Sequence, residues 1–158
     1  MTAITLPRRA GSRPQTHYGL PHQQLDQQPA DPQMQERLAA RVFVLPRVHE
    51  EESGISVPGA RALVLDEEDA KGPREAFMVG REFAHLHPRP DQSLHMALPV
   101  DIAQAAIDAG WAELHPMAAA GRSPKTQVMV FAPRDHHEVD VVVRLVEDSY
   151  RFATQSRP

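Results

Sequence analysis

Cysteine is absent from this chain of 158 residues. Its absence excludes disulfide scaffolds, thiolate zinc sites, iron–sulfur clusters and cysteine nucleophiles. Any metal chemistry would therefore have to use His, Asp and Glu side chains. Aromatic residues are also few, at 5% of the chain, so the core has to be built chiefly from Val, Leu, Ala and Ile.

An excess of basic residues and long apolar runs are lacking as well. The 17 Lys and Arg residues stand against 21 Asp and Glu, a formal net charge of −4. This balance argues against a nucleic-acid partner, because phosphate contacts need a basic face. No window reaches the roughly 18 apolar residues that span a bilayer, and residues 1–13 lack the apolar stretch of a secretory signal. The sequence therefore predicts a cytoplasmic protein with neither a nucleic-acid nor a membrane partner.

Proline and histidine are plentiful by contrast, with 15 and 9 residues. Residues 1–31 combine prolines and glutamines with almost no apolar periodicity, a composition that cannot offset the entropy of ordering. They are predicted to form a disordered tail in which His17 and His22 are solvated. Residues 32–158 are predicted to form a single domain.

Apolar spacing and turn residues predict the elements of this domain. A helix is expected over 32–42, followed by a strand pair or one bent strand at 55–57 and 62–65. From residue 76 onward the pattern is a hairpin, a helix, two strands and a final helix, the order ββαββα. The fold class is therefore α+β, a small and mostly antiparallel sheet with helices packed on one face.

The predicted hairpin concentrates histidines. His85 and His87 lie two apart on its first strand and project from one face together with Phe83. His95 on the second strand joins them if the hairpin is in register, whereas a slip of one residue turns it away. His115 ends a later strand, where residues from separate elements converge on clefts. The other histidines are expected to be solvated in the tail, in a charged loop or at a helix start.

Three imidazoles on one wall have two chemical uses. They can bind Zn²⁺, Fe²⁺ or Mn²⁺ and leave positions open, or they can bind an organic anion and move protons. Asp91 follows His87 as the carboxylate does in the cupin metal motif, but the spacing from Gly80 is too short and a second motif is missing. Arg134, at the start of the final helix, is placed either to bind a carboxylate or an enolate or to form a surface salt bridge.

Several motifs in order resemble the luciferase domain, a family shared by fungal and small bacterial proteins. The resemblance covers about residues 76–153. It is carried by five strings: Arg81-Glu82-Phe83-Ala84-His85-Leu86-His87, Ser93-Leu94-His95-Met96-Ala97-Leu98, Gly110-Trp111, His115-Pro116-Met117-Ala118 and Ala132-Pro133-Arg134.

The resemblance implies an oxygenase that needs neither a metal nor an organic cofactor. The fungal reaction adds molecular oxygen to a hydroxypyrone, 3-hydroxyhispidin, and the endoperoxide formed loses carbon dioxide. A comparable small enolisable or aromatic substrate, together with O2, is expected here. The catalytic residues implied are His85, His87, His95 and His115. The substrate-binding residues expected are Phe83, Asp91, Trp111 and Arg134.

Two alternatives remain open from the residues themselves. One is a metal-binding protein that uses His85, His87 and His95, with or without catalysis. The other is a non-catalytic module that binds a small ligand or a partner and in which the histidines only hold the hairpin. The sequence does not decide between one copy and an oligomer.

Overall fold

The chain adopts an α+β fold in a computed structural model that describes residues 5–155. The helices are α1 (Met34–Val42), α2 (Val100–Asp108), α3 (Pro116–Ala119) and α4 (His136–Thr154), with a 3₁₀ turn at Arg74–Ala76. The strands are β1 (Thr16–His17), β2 (Gln23–Gln24), β3 (Val48–Glu52), β4 (Arg61–Leu65), β5 (Glu82–Leu86), β6 (Leu94–Ala97), β7 (Ala112–Leu114) and β8 (Gln127–Val130).

Six of these strands form one antiparallel sheet in the order β3-β4-β5-β6-β8-β7, and β1 and β2 pair separately. The predicted α+β class is confirmed. After residue 76 the order is ββαβαβα, because the short helix α3 lies between β7 and β8 where a loop is predicted. The first strand pair differs, because β4 pairs with residues 48–52 while residues 55–57 lie in the loop between them. The charged strand β3 is an edge strand, where side chains can remain in water, so its polar sequence does not prevent strand formation. His49 lies in this strand and is exposed as expected.

A single apolar core lies between one face of the sheet and the helices. Strands β5 and β6 contribute alternate residues to it, among them Leu86 and Met96, and α4 contributes the stripe that includes Val142 and Val146. Asp135 caps α4 by accepting a hydrogen bond from the backbone N–H of Glu138 at 2.8 Å. The face of the β5–β6 hairpin that points away from the helices does not contribute to this core.

The predicted disordered tail is wrong for residues 5–31, which are ordered against the domain. The anchors are polar: the Gln24 side-chain oxygen accepts from Ala132 N at 2.8 Å, and Tyr18 Oη donates to the Leu114 carbonyl at 2.7 Å. Hydrogen bonds to backbone groups leave no apolar periodicity in a sequence, which explains the error. His17 is exposed, but His22 is buried. Residues 1–4 of the predicted tail and 156–158 of the predicted domain lie outside the described residues.

A β-bulge interrupts β5. Leu63 pairs with Ala84 and the next residue, Val64, pairs with Glu82, so Phe83 is an extra residue in the strand. The bulge breaks the alternation of side chains. Glu82 consequently reaches His85, while Phe83 packs in the helix-side core, so the prediction that Phe83 shares the histidine face is wrong.

Candidate functional site

A cavity of about 600 Å³ lies on the sheet face opposite the core. All four histidines predicted as catalytic line it, and a fifth from the N-terminal segment joins them. These five residues, called the histidine cluster below, are His22, His85, His87, His95 and His115. The cluster is buried except for His115, which is partly exposed.

The hairpin register brings the central pair together. His85 and His95 are directly opposed on β5 and β6, as the in-register prediction requires. Their nearest ring nitrogens, His85 Nε2 and His95 Nδ1, are 3.2 Å apart. His87 follows β5 directly, and its Nε2 lies 2.9 Å from the same His95 Nδ1. Two imidazoles thus face one nitrogen of the third.

Glu82 orients His85. Its carboxylate lies 2.7 Å from His85 Nδ1 and also accepts hydrogen bonds from Ser53 Oγ and Gly54 N. Because a carboxylate with these donors acts as an acceptor, Nδ1 of His85 carries the proton. Burial lowers the pKa of His85 more than the Glu82 hydrogen bond raises it, so the ring is held neutral. Its Nε2 therefore presents a lone pair to His95.

Ser93 and Asp91 orient His87 in the same way. Ser93 Oγ donates to Asp91 Oδ1 at 2.7 Å and must accept from His87 Nδ1, which lies 2.9 Å away. The second Asp91 oxygen is 3.0 Å from that Nδ1 without the alignment of a hydrogen bond. Burial raises the pKa of Asp91, but the interactions with His87 and Ser93 lower this pKa by more. The carboxylate therefore stays ionised. Asp91 lines the cavity as expected.

His22 links the cluster to a third carboxylate. Its Nε2 lies 2.6 Å from Glu113 Oε1, and its Nδ1 lies 2.8 Å from His95 Nε2. Arg13 contacts the other Glu113 oxygen from the surface. The hydrogen bonds from His22 and Arg13 outweigh burial and lower the pKa of Glu113. Sequence reasoning missed both His22 and Glu113, since neither stands near the hairpin in the chain.

His95 and His115 complete the cluster. Burial, reinforced by the surrounding imidazoles, holds the pKa of His95 well below its ordinary value. Burial and the neighbouring histidines lower the pKa of His115 to about 4. The Met117 backbone N–H donates to His115 Nδ1 at 3.1 Å, so the neutral ring carries its proton on Nε2. His115 is therefore a hydrogen-bond donor at its free nitrogen.

Three residues predicted to bind substrate lie away from the cavity. Phe83 is in the core, as described above. Trp111 is also buried, and its indole N–H donates to the Pro7 carbonyl at 2.6 Å. Arg134 donates to the Glu138 carboxylate from Nε at 2.8 Å and to the Ala10 carbonyl from Nη2 at 2.8 Å, which secures the N-terminal segment. Neither Trp111 nor Arg134 lines the cavity.

Two other arginines take the place predicted for Arg134. Arg74 and Arg122 line the cavity, and neither guanidinium has an ion pair or hydrogen bond within residues 5–155. Apolar side chains line the same cavity, including Leu20 and Ile55, which are 68% and 54% exposed. An apolar wall with uncompensated positive charge suits a small, flat anion. No sequence motif marks either arginine, because Arg74 begins the short 3₁₀ turn and Arg122 stands in the loop after α3.

Comparison with known proteins finds a family model that matches the part of the chain carrying most of the cluster. Residues 80–149 match the family model described as "Luciferase domain". The match includes His85, His87, His95 and His115 and confirms the resemblance carried by the sequence motifs. Residues 80–149 are therefore similar to the luciferase domain family.

Curated relatives extend the match beyond those residues. The chain is 30% identical to a luciferase of Armillaria gallica over 94% of its own length and 61% of that protein, and 30% identical to a luciferase of Armillaria ostoyae with the same coverage. A luciferase of Neonothopanus nambi is 37% identical over 47% of this chain and 28% of that protein. The chain thus spans about three fifths of the Armillaria gallica protein. Coverage of 94% leaves about nine residues outside, so the first match includes the segment that carries His22.

No solved structure matches the chain. Within residues 5–155, no helix is both long and apolar enough to cross a membrane.

Proposed function

We propose that the histidine-lined cavity is the active site of an oxygenase that acts on a small enolisable or aromatic compound of the hydroxypyrone type. One observation carries the proposal: five histidines, oriented by three buried carboxylates, line one cavity in a chain that matches fungal luciferases over 94% of its length. Ionisable groups gathered in one cavity with shifted pKa values are typical of catalytic sites.

The residues present suit the first step of such a reaction. An enolisable substrate has to lose a hydroxyl proton before O2 adds to its ring, and a neutral imidazole of the cluster is a proton acceptor at neutral pH. The enolate oxygen formed needs hydrogen-bond donors, which the Nε2–H of His115 supplies. When O2 then forms a bond to the ring carbon, the carbon is oxidised and O2 is reduced to a peroxide, which remains attached.

Charge at the cavity favours this anion over a neutral ligand. Arg74 and Arg122 are cationic and unpaired within the described residues, and Asp91, the one carboxylate residue on the cavity wall, is already engaged by His87 and Ser93. The exposed Leu20 and Ile55 would cover the ring of a flat ligand and remove apolar surface from water. The cavity volume of about 600 Å³ is in the range of small-molecule sites.

Oxygen uptake by the full chain, with light recorded in parallel, tests the proposal. The substrates are 3-hydroxyhispidin and related hydroxypyrones. Uptake that needs both enzyme and hydroxypyrone is expected, and the double variant Arg74→Ala with Arg122→Ala should raise KM more than it lowers kcat. The variant His137→Ala, at an exposed position outside the cavity, is the matched control.

A negative result would take a definite form. If no hydroxypyrone supports oxygen uptake and none raises the melting temperature of the protein, the cavity is not a site for this class of compound. A rise in melting temperature without turnover would overturn the oxygenase and favour the non-catalytic binding module.

A further inference from the structure

We propose that His85 Nε2, His87 Nε2 and His95 Nδ1 form a three-nitrogen site for a divalent transition-metal ion of the Fe²⁺ or Zn²⁺ class. The site goes beyond the proposed oxygenase, because it is inferred from the hydrogen-bond partners of the ring nitrogens and not from the oxygenase reaction. These partners determine which nitrogen of each ring carries a proton and which carries a lone pair. It also departs from the cofactor-free chemistry that the family resemblance implies.

The argument begins with the protons of the cluster. His85 has its proton on Nδ1, facing Glu82, and His87 has its proton on Nδ1, facing Ser93 and Asp91. When both rings are neutral, each Nε2 atom has no proton and carries a lone pair. Both lone pairs are directed at His95 Nδ1, at 3.2 Å and 2.9 Å.

His22 determines which nitrogen of His95 carries the proton. Since Glu113 accepts from His22 Nε2, the Nδ1 atom of a neutral His22 is an acceptor. It lies 2.8 Å from His95 Nε2, which therefore donates to it. Neutral His95 then has a lone pair on Nδ1, and three lone pairs converge with no hydrogen atom between them.

Such a convergence is repulsive without a cation and favourable with one. Imidazole nitrogens bind Zn²⁺ at about 2.0–2.1 Å, so two ligands at angles of 90–109° are about 2.8–3.4 Å apart. The observed separations of 2.9 and 3.2 Å fall within this range. One ring nitrogen from each of the three histidines lies within 4.8 Å of the others.

The surrounding carboxylates support the same reading. Metal-bound histidines usually donate their second ring N–H to a carboxylate or another acceptor, which fixes the tautomer and the ring orientation. Here Glu82 orients His85, and Asp91 orients His87 together with Ser93. His22 orients His95 and is itself held by Glu113. Each proposed ligand thus has its own oriented partner.

The neighbouring group of His22, His95 and His115 is a poorer site, although it too has one ring nitrogen from each residue within 4.8 Å of the others. The Met117 N–H occupies the lone pair of His115 Nδ1, so the neutral His115 ring has its proton on Nε2 and no lone pair to offer. Both nitrogens of His22 are also committed, to Glu113 and to His95. The hydrogen bonds therefore select the first three nitrogens.

Titration of the untagged full chain with Co²⁺, followed by its visible absorption, tests the site. One Co²⁺ per chain is expected, with competition by Zn²⁺. His87→Ala should abolish stoichiometric binding, whereas His115→Ala and the exposed His137→Ala should retain it. Glu82→Gln, which alters a positioning residue, should weaken Co²⁺ binding by about 10–100-fold and change the absorption spectrum.

Two results would overturn the proposal. One is the failure of the wild-type protein to bind Co²⁺ stoichiometrically. The other is a loss of Co²⁺ binding in His115→Ala while a folded His87→Ala retains it. Near-UV circular dichroism and a melting curve show whether each variant is folded. Co²⁺ binding without oxygen uptake would remove the oxygenase and leave the metal site, and oxygen uptake by a protein that binds no Co²⁺ would do the reverse.

Discussion

The two faces of the β5–β6 hairpin are equally buried and chemically opposite. Toward the helices, Leu86 faces Leu94 across the strands, and Ala84 faces Met96. Toward the cavity, the residue between them on each strand is a histidine, His85 opposite His95. All six side chains are at most 5% exposed.

The difference shows that burial alone does not make a core. The helix-side face removes apolar surface from water and stabilises the fold without directional partners. The histidine face loses the hydration of its ring nitrogens and compensates only because Glu82, Ser93 and Glu113 supply acceptors. Substitutions on the two faces should therefore change different quantities.

The largest effect should separate function from stability on the histidine face. His85→Asn keeps a donor near Glu82 but removes the lone pair directed at His95, so oxygen uptake should fall by about 10²–10⁴-fold. The free energy of unfolding should change by less than about 2 kcal/mol. Oxygen uptake and urea unfolding measure the two quantities, and a loss of stability without loss of activity would contradict the assignment.

The next position in the strand should give the opposite result. Leu86→Ala removes a fully buried side chain from the core and should lower the free energy of unfolding by about 2–5 kcal/mol. Because the histidines are unchanged, activity per folded molecule should remain close to that of the wild type. Urea unfolding and oxygen uptake at low temperature provide the comparison. A change as small as that of His85→Asn would show that the two faces do not differ.

Glu113→Gln tests whether the N-terminal segment takes part in the histidine face. The glutamine oxygen can still accept from His22 but lacks the negative charge, so activity or metal affinity should fall by about 10–100-fold. The exposed Glu51→Gln is the matched control. Equal kinetics for both variants would make His22 and Glu113 a structural pair only.

The smallest effect concerns a buried carboxylate away from the histidines. Burial raises the pKa of Glu138, but its bonds to Arg134 lower it by more, so the folded-state pKa lies below the ordinary 4.5. The contribution of Glu138 to the free energy of unfolding is therefore present above about pH 4.5 and is lost as the pH falls through the folded-state pKa.

Glu138→Gln should lack this contribution, which is on the order of 1 kcal/mol at neutral pH. Urea unfolding should show that the free energy of unfolding decreases less between pH 7 and pH 3 for the variant than for the wild type. Oxygen uptake at pH 7 should be unchanged, since Glu138 does not line the cavity. A parallel decrease in both proteins would remove Glu138 as a source of acid sensitivity.

Much of the fold could be predicted from periodicity. The hairpin, the final helix and the inner position of β8 follow from apolar spacing and from the Asp135 cap. Three of the cluster histidines follow from alternation along two strands in register. These features depend on interactions between near neighbours in the chain, which a sequence pattern records.

The errors arise where contacts join distant residues. His22 meets His95 across 73 positions, and Arg134 binds Ala10 across 124, so no local pattern marks either contact. Phe83 was misplaced because a bulge in β5 changed the alternation on which its prediction depended. The cavity arginines Arg74 and Arg122 stand in a 3₁₀ turn and in a loop, whose positions are set by the sheet they cover.

Three features can be read from the amino-acid sequence: the absence of thiols, a hairpin that alternates leucine and methionine with histidine, and motifs similar to those of luciferase domains. The chemical role of each histidine, by contrast, depends on the folded chain. Tautomers depend on the partner of each ring nitrogen, and those partners, Glu82 through a bulge and Glu113 through His22, are assembled only when the chain folds.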